Sequence, residues 1–344
     1  MTKPPFNGAK LLVCGGAGFI GSNFIRRILA QSPKATIICL DALTYAGNKD
    51  NLKGLPKDRF FFVKGDITDK SLITRVFKKY QPSHVINFAA ESHVDRSIHV
   101  GAESFIHTNV YGTLVLLEAV RDAAHKITKF VHVSTDEVYG SLSLKDKKIF
   151  TELSPLAPNS PYAASKASAD LLVRSFFKTY DLPLVITRCS NNYGPYQHPE
   201  KLIPFSIMRL VAGKPIAIYG DGKYVRDWIH VEDHCSALLL ALTDGVPGEI
   251  YNIGADEEVN NLDLAHRLLL YFKKEAETAI IYVKDRPGHD RRYAIDSSKI
   301  RKELGWKPKH SFKTSLKVTI DWYVQNTVWT KRSLARSGAA NTHI

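Results

Sequence analysis

Cysteine is scarce in this sequence: four occur among 344 residues, and no two of them form a CxxC pair. This spacing excludes a small disulfide scaffold and gives no cysteine-based metal motif. Long apolar runs are also missing, because no stretch approaches the roughly 18–20 residues that a membrane span needs. Hydrophobic residues make up 44% and charged residues 24% of the chain. This is an ordinary globular composition, which excludes a disordered or collagen-like chain.

We also expect no secretory leader, because the short polar start of the chain leads directly into the first predicted strand. The cysteines (Cys14, Cys39, Cys189 and Cys235) lie far apart in apolar or helical surroundings. They predict reduced, mostly buried thiols. We therefore expect a cytoplasmic protein that is not membrane-bound and holds no metal.

Acidic residues are too few to balance the basic ones: 34 stand against 47, which leaves a net charge of +13. Between Lys299 and Arg336 there are ten basic residues but only two acids, so much of the excess lies near the C-terminus. No nucleic-acid-reading motif occurs there. We predict a solvated basic helix, then a basic polar tail at 331–344 without an assigned role, and no nucleic-acid partner.

Strand and helix patterns alternate in the first half of the chain. The predicted strands are Lys10–Val13, Thr36–Asp41, Phe60–Lys64, His84–Phe88, Lys129–Ser134 and Leu184–Thr187. The predicted helices are Ile20–Ala30, Lys70–Tyr80, Phe105–Ala124 and Pro161–Tyr180. This alternation predicts an α/β fold with a doubly wound parallel (Rossmann) sheet over residues 1–189. After it we expect a smaller substrate-binding domain at 190–330, which lends a strand or helix back to the sheet.

A glycine-rich loop, GGAGFIG at Gly15–Gly21, directly follows the first predicted strand. Glycines let the backbone approach a pyrophosphate, whose charge is stabilised at the N-terminus of the next helix. Because both the strand and the helix are present, the loop predicts a dinucleotide site rather than a turn without a ligand.

Acidic and small residues end the next three strands. Asp41 can accept hydrogen bonds from both ribose hydroxyls and would repel a 2′-phosphate, which favours NAD over NADP. Asp66 can meet the adenine amino group, and Ala89 and Ala90 leave room for the dinucleotide. We therefore predict NAD as cofactor, with contacts from Gly15, Gly18, Phe19, Ile20, Gly21, Asp41, Ala42, Leu43, Thr44, Asp66, Ile67, Phe88, Ala89 and Ala90.

Tyr162 and Lys166 are four residues apart on a predicted helix, so their side chains share a face. The ammonium is expected to lower the pKa of the phenol, and a tyrosinate can take a proton from a sugar hydroxyl while hydride leaves the same carbon. The same spacing to a lysine recurs at Tyr45 and Tyr219, in glycine-containing loops. Only Tyr162 lies on a good helix and follows a strand that ends in Ser134.

The predicted strand Lys129–Ser134 is closely followed by two adjacent carboxylates, Asp136 and Glu137. A solvated turn would explain an arbitrary pair of this kind, but these two lie where a parallel strand opens into a nucleotide site. An elimination needs one carboxyl to protonate a leaving hydroxyl and another to remove a proton, and neighbouring carboxyls can hold different protonation states. Because successive strand residues point to opposite faces, the chain must turn at Asp136 if both are to reach one substrate.

Over residues 8–325 the sequence resembles the extended short-chain dehydrogenase/reductases, and more specifically the dTDP-glucose 4,6-dehydratases. The resemblance rests on the segments AAESHVD at Ala89–Asp95, TDE at Thr135–Glu137, SNNYGP at Ser190–Pro195 and DRPGHD at Asp285–Asp290. It implies that NAD⁺ takes hydride from carbon 4 of the glucosyl group and returns it to carbon 6. It also implies that NAD is tightly bound and regenerated in each turnover.

The resemblance also implies roles for individual residues. Thr135 and Lys166 would help Tyr162 accept the hydroxyl proton, Glu137 would remove the carbon-5 proton, and Asp136 would protonate the departing 6-hydroxyl. Further cofactor contacts would come from Ser92, Thr108 and Asn192, besides Tyr162 and Lys166. Substrate contacts would come from Ser92, Thr135, Asn191, Lys201, Leu202, Arg226, Asn261, Asp285, Arg286, Pro287, Gly288 and His289.

The family's helices usually pair into a homodimer through a four-helix bundle, which would use Phe105–Ala124 and Pro161–Tyr180. Several alternatives stay open from the sequence. UDP-glucose or another nucleotide hexose could replace dTDP-glucose, because no residue reads out the thymine methyl directly. A 4-epimerase or a decarboxylase fits the fold but leaves Asp136 and Glu137 without a task. Arg226 could form an ion pair with Asp227 or Glu232 instead of binding a diphosphate.

Overall fold

The structure, a computed structural model, describes residues 6–336. Its strands are β1 (Lys10–Cys14), β2 (Thr36–Asp41), β3 (Phe60–Lys64), β4 (His84–Asn87), β5 (Lys129–Thr135), β6 (Leu184–Cys189), β7 (Asn191–Tyr193), β8 (Ile216–Tyr219), β9 (Val225–His230), β10 (Ile250–Ile253), β11 (Glu258–Asn260) and β12 (Ile280–Val283). Its helices are α1 (Phe19–Gln31), α2 (Lys70–Tyr80), α3 (Val94–His99), α4 (Glu103–Phe105), α5 (Gly112–Arg121), α6 (Pro161–Tyr180), α7 (Leu202–Val211), α8 (Val231–Thr243), α9 (Asn261–Phe272), α10 (Ala276–Ala279), α11 (Ser298–Leu304), α12 (Phe312–Gln325) and α13 (Thr327–Arg336).

A seven-stranded parallel sheet in the order β10-β6-β5-β4-β1-β2-β3 forms the centre of the protein. The strands read as continuous apolar runs because helices cover both faces of the sheet. In β1, Leu11 and Val13 point into the core beneath α1 and α8, whereas Leu12 and Cys14 point into the core beneath α2, α5 and α6. The predicted fold class is confirmed. The later chain contributes one strand, β10, to an edge of this sheet.

One predicted helix, Phe105–Ala124, differs in the structure. Helical chain runs from α4 through a wider π-type segment, Ile106–Tyr111, into α5, which ends at Arg121. Beside this segment the Thr113 hydroxyl donates to the Asn109 carbonyl over 2.7 Å, a side-chain bond of the kind that competes with the regular ladder. Periodicity alone does not distinguish these two hydrogen-bond patterns. π-type turns are frequent at functional sites.

A second group of elements follows β6 and begins at the carboxyl end of the sheet. It contains the small sheets β11-β9-β7 and β12-β8, packed with α7, α9 and α12 around a separate apolar core. The chain then ends, within the described residues, in α13. Residues 331–336, predicted as the start of a polar tail, are therefore helical, and residues 337–344 of that tail lie outside the described residues.

The four cysteines are free and buried, as their apolar surroundings predict. Across residues 6–336 no helix has both the length and the apolar character required to cross a membrane. Within the same range, no cluster of three or more His, Cys, Asp or Glu side chains is arranged to hold a metal ion.

Candidate active site

A deep cleft lies along the carboxyl ends of the sheet strands and collects most of the predicted site residues. Those that line it are Gly15, Gly18, Phe19, Ile20, Gly21, Asp41, Ala42, Thr44, Asp66, Ile67, Phe88, Ala89, Ala90, Ser92, Thr108, Thr135, Asp136, Glu137, Tyr162, Lys166, Asn191, Asn192 and Lys201. Those that do not line it are Leu43, Leu202, Arg226, Asn261, Asp285, Arg286, Pro287, Gly288 and His289.

Two glycines of the glycine loop, Gly15 and Gly21, are packed so closely that they have no room for a side chain. Gly15 has a φ of +74°, and a Cβ placed on it would lie 2.6 Å from the backbone nitrogen of Ala89. A Cβ on Gly21 would lie 2.4 Å from the carbonyl oxygen of Gly15. The loop therefore opens α1 with bare backbone toward the cleft, as binding of a pyrophosphate at a helix N-terminus requires.

Asp41 holds this loop in place. One carboxylate oxygen accepts the backbone N–H of Ala17 over 2.8 Å, and the other accepts that of Leu43 over 2.8 Å. Burial raises the pKa of Asp41, while these two hydrogen bonds lower it. Leu43 thus contacts the cleft residue Asp41 through its backbone N–H but does not line the cleft itself.

The cleft residues fit NAD. Bare backbone lies where a pyrophosphate approaches, and the carboxylate of Asp41 lies at the end of β2, where a ribose would lie. Two buried acceptors of the lining, the side-chain oxygens of Asn191 and Gln197, have no hydrogen-bond partner within the described part of the chain. Buried polar groups of this kind call for a partner, so they suit a polar ligand.

The Asp136–Glu137 pair lies on a turn. After Thr135 the chain leaves the extended conformation and forms a single 3₁₀ turn over Asp136–Tyr139. The Thr135 hydroxyl accepts the backbone N–H of Glu137 over 3.3 Å and lies 3.3 Å from Asp136 Oδ1. Because the chain turns here, both carboxyls line the same cleft as Tyr162, which is the geometric condition that an elimination sets.

The two carboxyls have different electrostatic surroundings. Burial, and next the charge of Glu137, raises the pKa of Asp136 well above its ordinary value. Burial also raises the pKa of Glu137, but the positive charges of Arg286, Arg226 and Lys201 oppose that rise. Asp136 is therefore the better proton donor of the pair, and Glu137 the better carboxylate base.

Tyr162 and Lys166 lie on the first turns of α6, which begins where Ser160 caps the helix and Pro161 occupies its first turn. Lys166 Nζ donates to the carbonyl oxygen of Val133 on β5 over 2.8 Å. Burial lowers the pKa of Lys166 to about 8, although the nearby carboxylate of Asp170 opposes this.

The expected lowering of the Tyr162 pKa is wrong. Burial, and next the charge of Glu137, raises the pKa of Tyr162 well above its ordinary value. The ammonium of Lys166 is held by the backbone of β5 and is itself desolvated, so it does not outweigh these effects. Helix spacing alone could not reveal burial or the neighbouring acids.

The positive residues predicted for the substrate, Lys201, Arg226 and Arg286, form a layer of charge that acts on Glu137. Arg226 is buried, donates to the carbonyl oxygens of Val225 and Asp290, and lies 4.2 Å from the ring centroid of Tyr293. Within residues 6–336 it forms no ion pair with Asp227 or Glu232. The alternative role proposed for Arg226 from the sequence is therefore absent.

Two further cations complete the layer. Arg286 pairs with Asp95 over 3.1 Å. Lys201 Nζ donates to the carbonyl oxygen of Ser92 over 3.0 Å, and burial lowers its pKa. Both act electrostatically on Glu137. These two contacts therefore connect the later chain to residues 92–95, which follow β4.

Three of the remaining substrate candidates, Asn261, Asp285 and His289, lie around Tyr224. His289 stacks on its ring with 3.6 Å between centroids and bonds to Asp285 over 2.7 Å. Asp285 also accepts the Tyr224 hydroxyl. The backbone N–H of Asn261 donates to the Tyr224 carbonyl, whereas its side-chain oxygen is buried without a partner in the described chain. These contacts bring together three segments that are distant in sequence.

Sequence reasoning missed several residues of the cleft. Tyr45, set aside because it lies in a glycine-containing loop, lines the cleft and bonds to the Ser92 hydroxyl over 3.0 Å. Gln197 and His198 also line it, as does Cys189, whose pKa burial raises to about 12. Tyr45 and Lys49 repeat the four-residue spacing of Tyr162 and Lys166. That spacing is typical of a catalytic pair, however, and does not indicate a residue that lines the cleft.

Comparison with known proteins places this site in a family. A family model described as GDP-mannose 4,6 dehydratase matches residues 12–319. A dTDP-glucose 4,6-dehydratase of Xanthomonas campestris pv. campestris is 51% identical over 93% of this chain and 95% of its own length. The chain belongs to the dTDP-glucose 4,6-dehydratase family. The catalytic candidates on β5 and α6 thus lie in a dehydratase framework.

Solved structures of this family carry the same fold. A dTDP-glucose 4,6-dehydratase from Streptomyces venezuelae, crystallised with NAD, is 49% identical with a TM-score of 0.90 and covers 94% of this chain and 99% of its own. A UDP-glucose 4-epimerase from Thermotoga maritima is 30% identical with a TM-score of 0.84, covering 92% and 99% of the two chains. The fold is therefore shared with epimerases.

Proposed function

We propose that this protein is an NAD-dependent dTDP-glucose 4,6-dehydratase, which converts dTDP-glucose to dTDP-4-keto-6-deoxyglucose and water. The observation that carries the proposal is the turn at Asp136, which brings two carboxyls into one cleft with Tyr162. The raised pKa of Asp136 and the cations around Glu137 suit the acid and the base of an elimination. An epimerase would have no task for this pair.

NAD, when bound, would supply a hydride acceptor for oxidation at carbon 4 and, in its reduced form, the hydride donor for carbon 6. Tyr162 accepts the proton of the 4-hydroxyl in its deprotonated form, with Thr135 sharing that oxygen and Lys166 supplying positive charge on the same face of α6. The 4-ketone acidifies the hydrogen at carbon 5, and Glu137 removes it. Asp136, held protonated by burial and by its neighbour, donates to the departing 6-hydroxyl, so that water leaves. A proton then returns to carbon 5.

The nucleoside diphosphate lies, in this proposal, among the cations of the later chain. Lys201, Arg226 and Arg286 supply charge for the phosphates, and the planar guanidinium groups suit bidentate contacts. Asn261 offers a buried side-chain oxygen without a partner in the described chain. The segment Asp285–His289 and Leu202 complete the enclosure of the nucleotide, while Ser92 and Asn191 face the sugar.

The remaining assignments are proposals as well. Residues 1–189, with β10, form the NAD-binding domain, and 190–330 form the sugar-nucleotide domain. Two copies pair through the helical chain of 103–121 and α6, where Ile106, Tyr111, Leu171 and Tyr180 expose apolar surface. The protein works in the cytoplasm.

The experiment that tests this function uses the purified protein without added NAD. It is mixed separately with dTDP-glucose and UDP-glucose, and proton NMR follows the methyl doublet of a 6-deoxy product. We expect a doublet from dTDP-glucose. It should form roughly 10- to 200-fold more efficiently than from UDP-glucose, because a single methyl contact to thymine gives discrimination of that size. A larger signal from UDP-glucose would reassign the base, and no doublet from either would overturn the function.

A further inference from the structure

The last helix of the described chain packs against the wall of the cofactor cleft. Tyr45, Ala46 and Gly47 line that cleft, and the chain continues from them into a 3₁₀ turn at Lys49–Leu52. We call residues 44–52 the cofactor loop. Helix α13 lies against this loop although 275 or more residues separate them in sequence. The family model ends at residue 319, so α13 lies outside the segment that it matches.

Three side chains of α13 bond to the cofactor loop. The Trp329 indole N–H donates to the side-chain oxygen of Asn51 over 2.9 Å. The Ser333 hydroxyl accepts the side-chain N–H of Asn48 over 2.9 Å, and Ser333 itself is 4% exposed. Arg336 donates to the Asn48 side-chain oxygen. These contacts satisfy polar groups that would otherwise be left unpaired in a partly buried place.

The same two asparagines hold the glycine loop from the other side. The Asn51 side chain donates to the carbonyl oxygen of Ala17 over 3.0 Å, and the Asn48 backbone N–H donates to the same oxygen over 3.0 Å. Ala17 in turn donates its own N–H to Asp41. A continuous set of hydrogen bonds therefore runs from α13 through the cofactor loop into the backbone that approaches the pyrophosphate.

The aromatic side of α13 anchors it to the later chain. The ring of Trp329 packs edge-on against Trp322, with 5.1 Å between centroids, and against Tyr196, with 5.9 Å. Trp322 also packs against Tyr196 over 4.9 Å. Trp329 thus connects the sugar-nucleotide part of the protein with the cofactor loop. Its ring packing fixes the orientation of the indole whose N–H donates to Asn51.

We propose that α13 is a strap that retains NAD, and that Trp329 and Ser333 are positioning residues that hold the cofactor loop closed over the dinucleotide. For the dinucleotide to leave, the loop at 44–52 has to move away from Ala17. That movement breaks the hydrogen bonds of Asn48 and Asn51 on both sides. The inference rests on the proposed function only in that a cofactor regenerated in each turnover has to stay bound.

The test measures NAD release from the full-length protein rather than its activity. Wild type and a Trp329→Ala variant are purified with their bound NAD and rapidly diluted, and the NAD remaining on the protein is quantified over time. We expect release to be about 10- to 100-fold faster in the variant, because an indole hydrogen bond and its ring packing are lost. Val328→Ala is the matched control, since Val328 lies on the same helix and is 62% exposed.

A second variant and a double-mutant cycle keep the outcome decisive. Ser333→Ala changes a single hydroxyl, so it tests the strap with little risk to folding. If Trp329 acts through Asn51, Trp329→Ala speeds NAD release by a smaller factor in an Asn51→Ala background than in wild type. Folded Trp329→Ala and Ser333→Ala proteins that release NAD at the wild-type rate would overturn the strap. Turnover of dTDP-glucose at saturating NAD tests the proposed function separately, because it does not depend on retention.

Discussion

A Glu137→Gln variant is expected to form the 6-deoxy product roughly 10²- to 10⁴-fold more slowly than wild type. The amide keeps the shape of the side chain but cannot take the carbon-5 proton. Oxidation at carbon 4 does not need Glu137, so a 4-keto sugar that retains its 6-hydroxyl should form, up to one equivalent per subunit. Quenching with sodium borodeuteride and mass spectrometry would detect it as deuterium at carbon 4.

The variant should stay folded. The site raises the pKa of Glu137, so it favours the neutral form of this side chain, and the amide is neutral and of the same shape. Glu277→Gln, on the exposed surface of α10, is the matched control for the same chemical change. Product formation within a few-fold of wild type would remove Glu137 from the elimination.

Replacing Tyr162 with Phe is expected to have a similarly large effect, roughly 10²- to 10⁴-fold on product formation, but at an earlier step. The phenol hydroxyl is the proposed acceptor of the 4-hydroxyl proton, so the variant should yield no trapped 4-keto sugar. Its bound NAD should stay near the wild-type level, because the glycine loop and Asp41 are unchanged. Tyr139→Phe is not a suitable control, since that hydroxyl bonds to Asn252 and Arg188.

A better control is Tyr282→Phe, because Tyr282 lies on β12 and is 60% exposed. It should leave both the trapped keto sugar and the final product unchanged. If Tyr162→Phe still gave one equivalent of the 4-keto sugar, another group would be the base at the 4-hydroxyl. The contrast between Glu137→Gln and Tyr162→Phe therefore separates the two proposed proton transfers.

Local sequence patterns were sufficient for six of the seven strands of the central sheet, all except β10. The strands Thr36–Asp41 and Phe60–Lys64 and the helices Lys70–Tyr80 and Pro161–Tyr180 have their predicted bounds. Each combines a clear apolar period with a capping or turn residue at its ends. The π-type segment at 106–111 was missed because it differs from an α-helix in hydrogen bonding and not in composition.

The site was predictable where it followed a strand of the sheet. The glycine loop and the Asp136–Glu137 pair each lie just after a parallel strand, Asp41 is the last residue of another, and such strands open at one edge. The cations of the later chain came from the family resemblance, and the structure places Arg226 and Arg286 outside the cleft lining but close enough to act electrostatically on Glu137. Their positions depend on how the second group of elements packs, which no local pattern contains.

The long-range contacts were out of reach. Tyr45 bonds to a residue 47 positions away, and Trp329 bonds to one 278 positions away. Nothing near either residue in sequence indicates its partner. The pKa of Tyr162 was predicted with the wrong sign for the same reason, because burial and the approach of Glu137 are consequences of tertiary packing.

The central claim is that one hydrogen moves within a single sugar, from carbon 4 to carbon 6, while water is lost between carbons 5 and 6. The most direct test supplies dTDP-glucose deuterated at carbon 4, mixed with uniformly ¹³C-labelled, undeuterated dTDP-glucose, in ordinary water. The account predicts that deuterium appears in the carbon-6 methyl group of the ¹²C product and not in the ¹³C product. Deuterium retained at carbon 4, lost to water or transferred to the ¹³C sugar would contradict it.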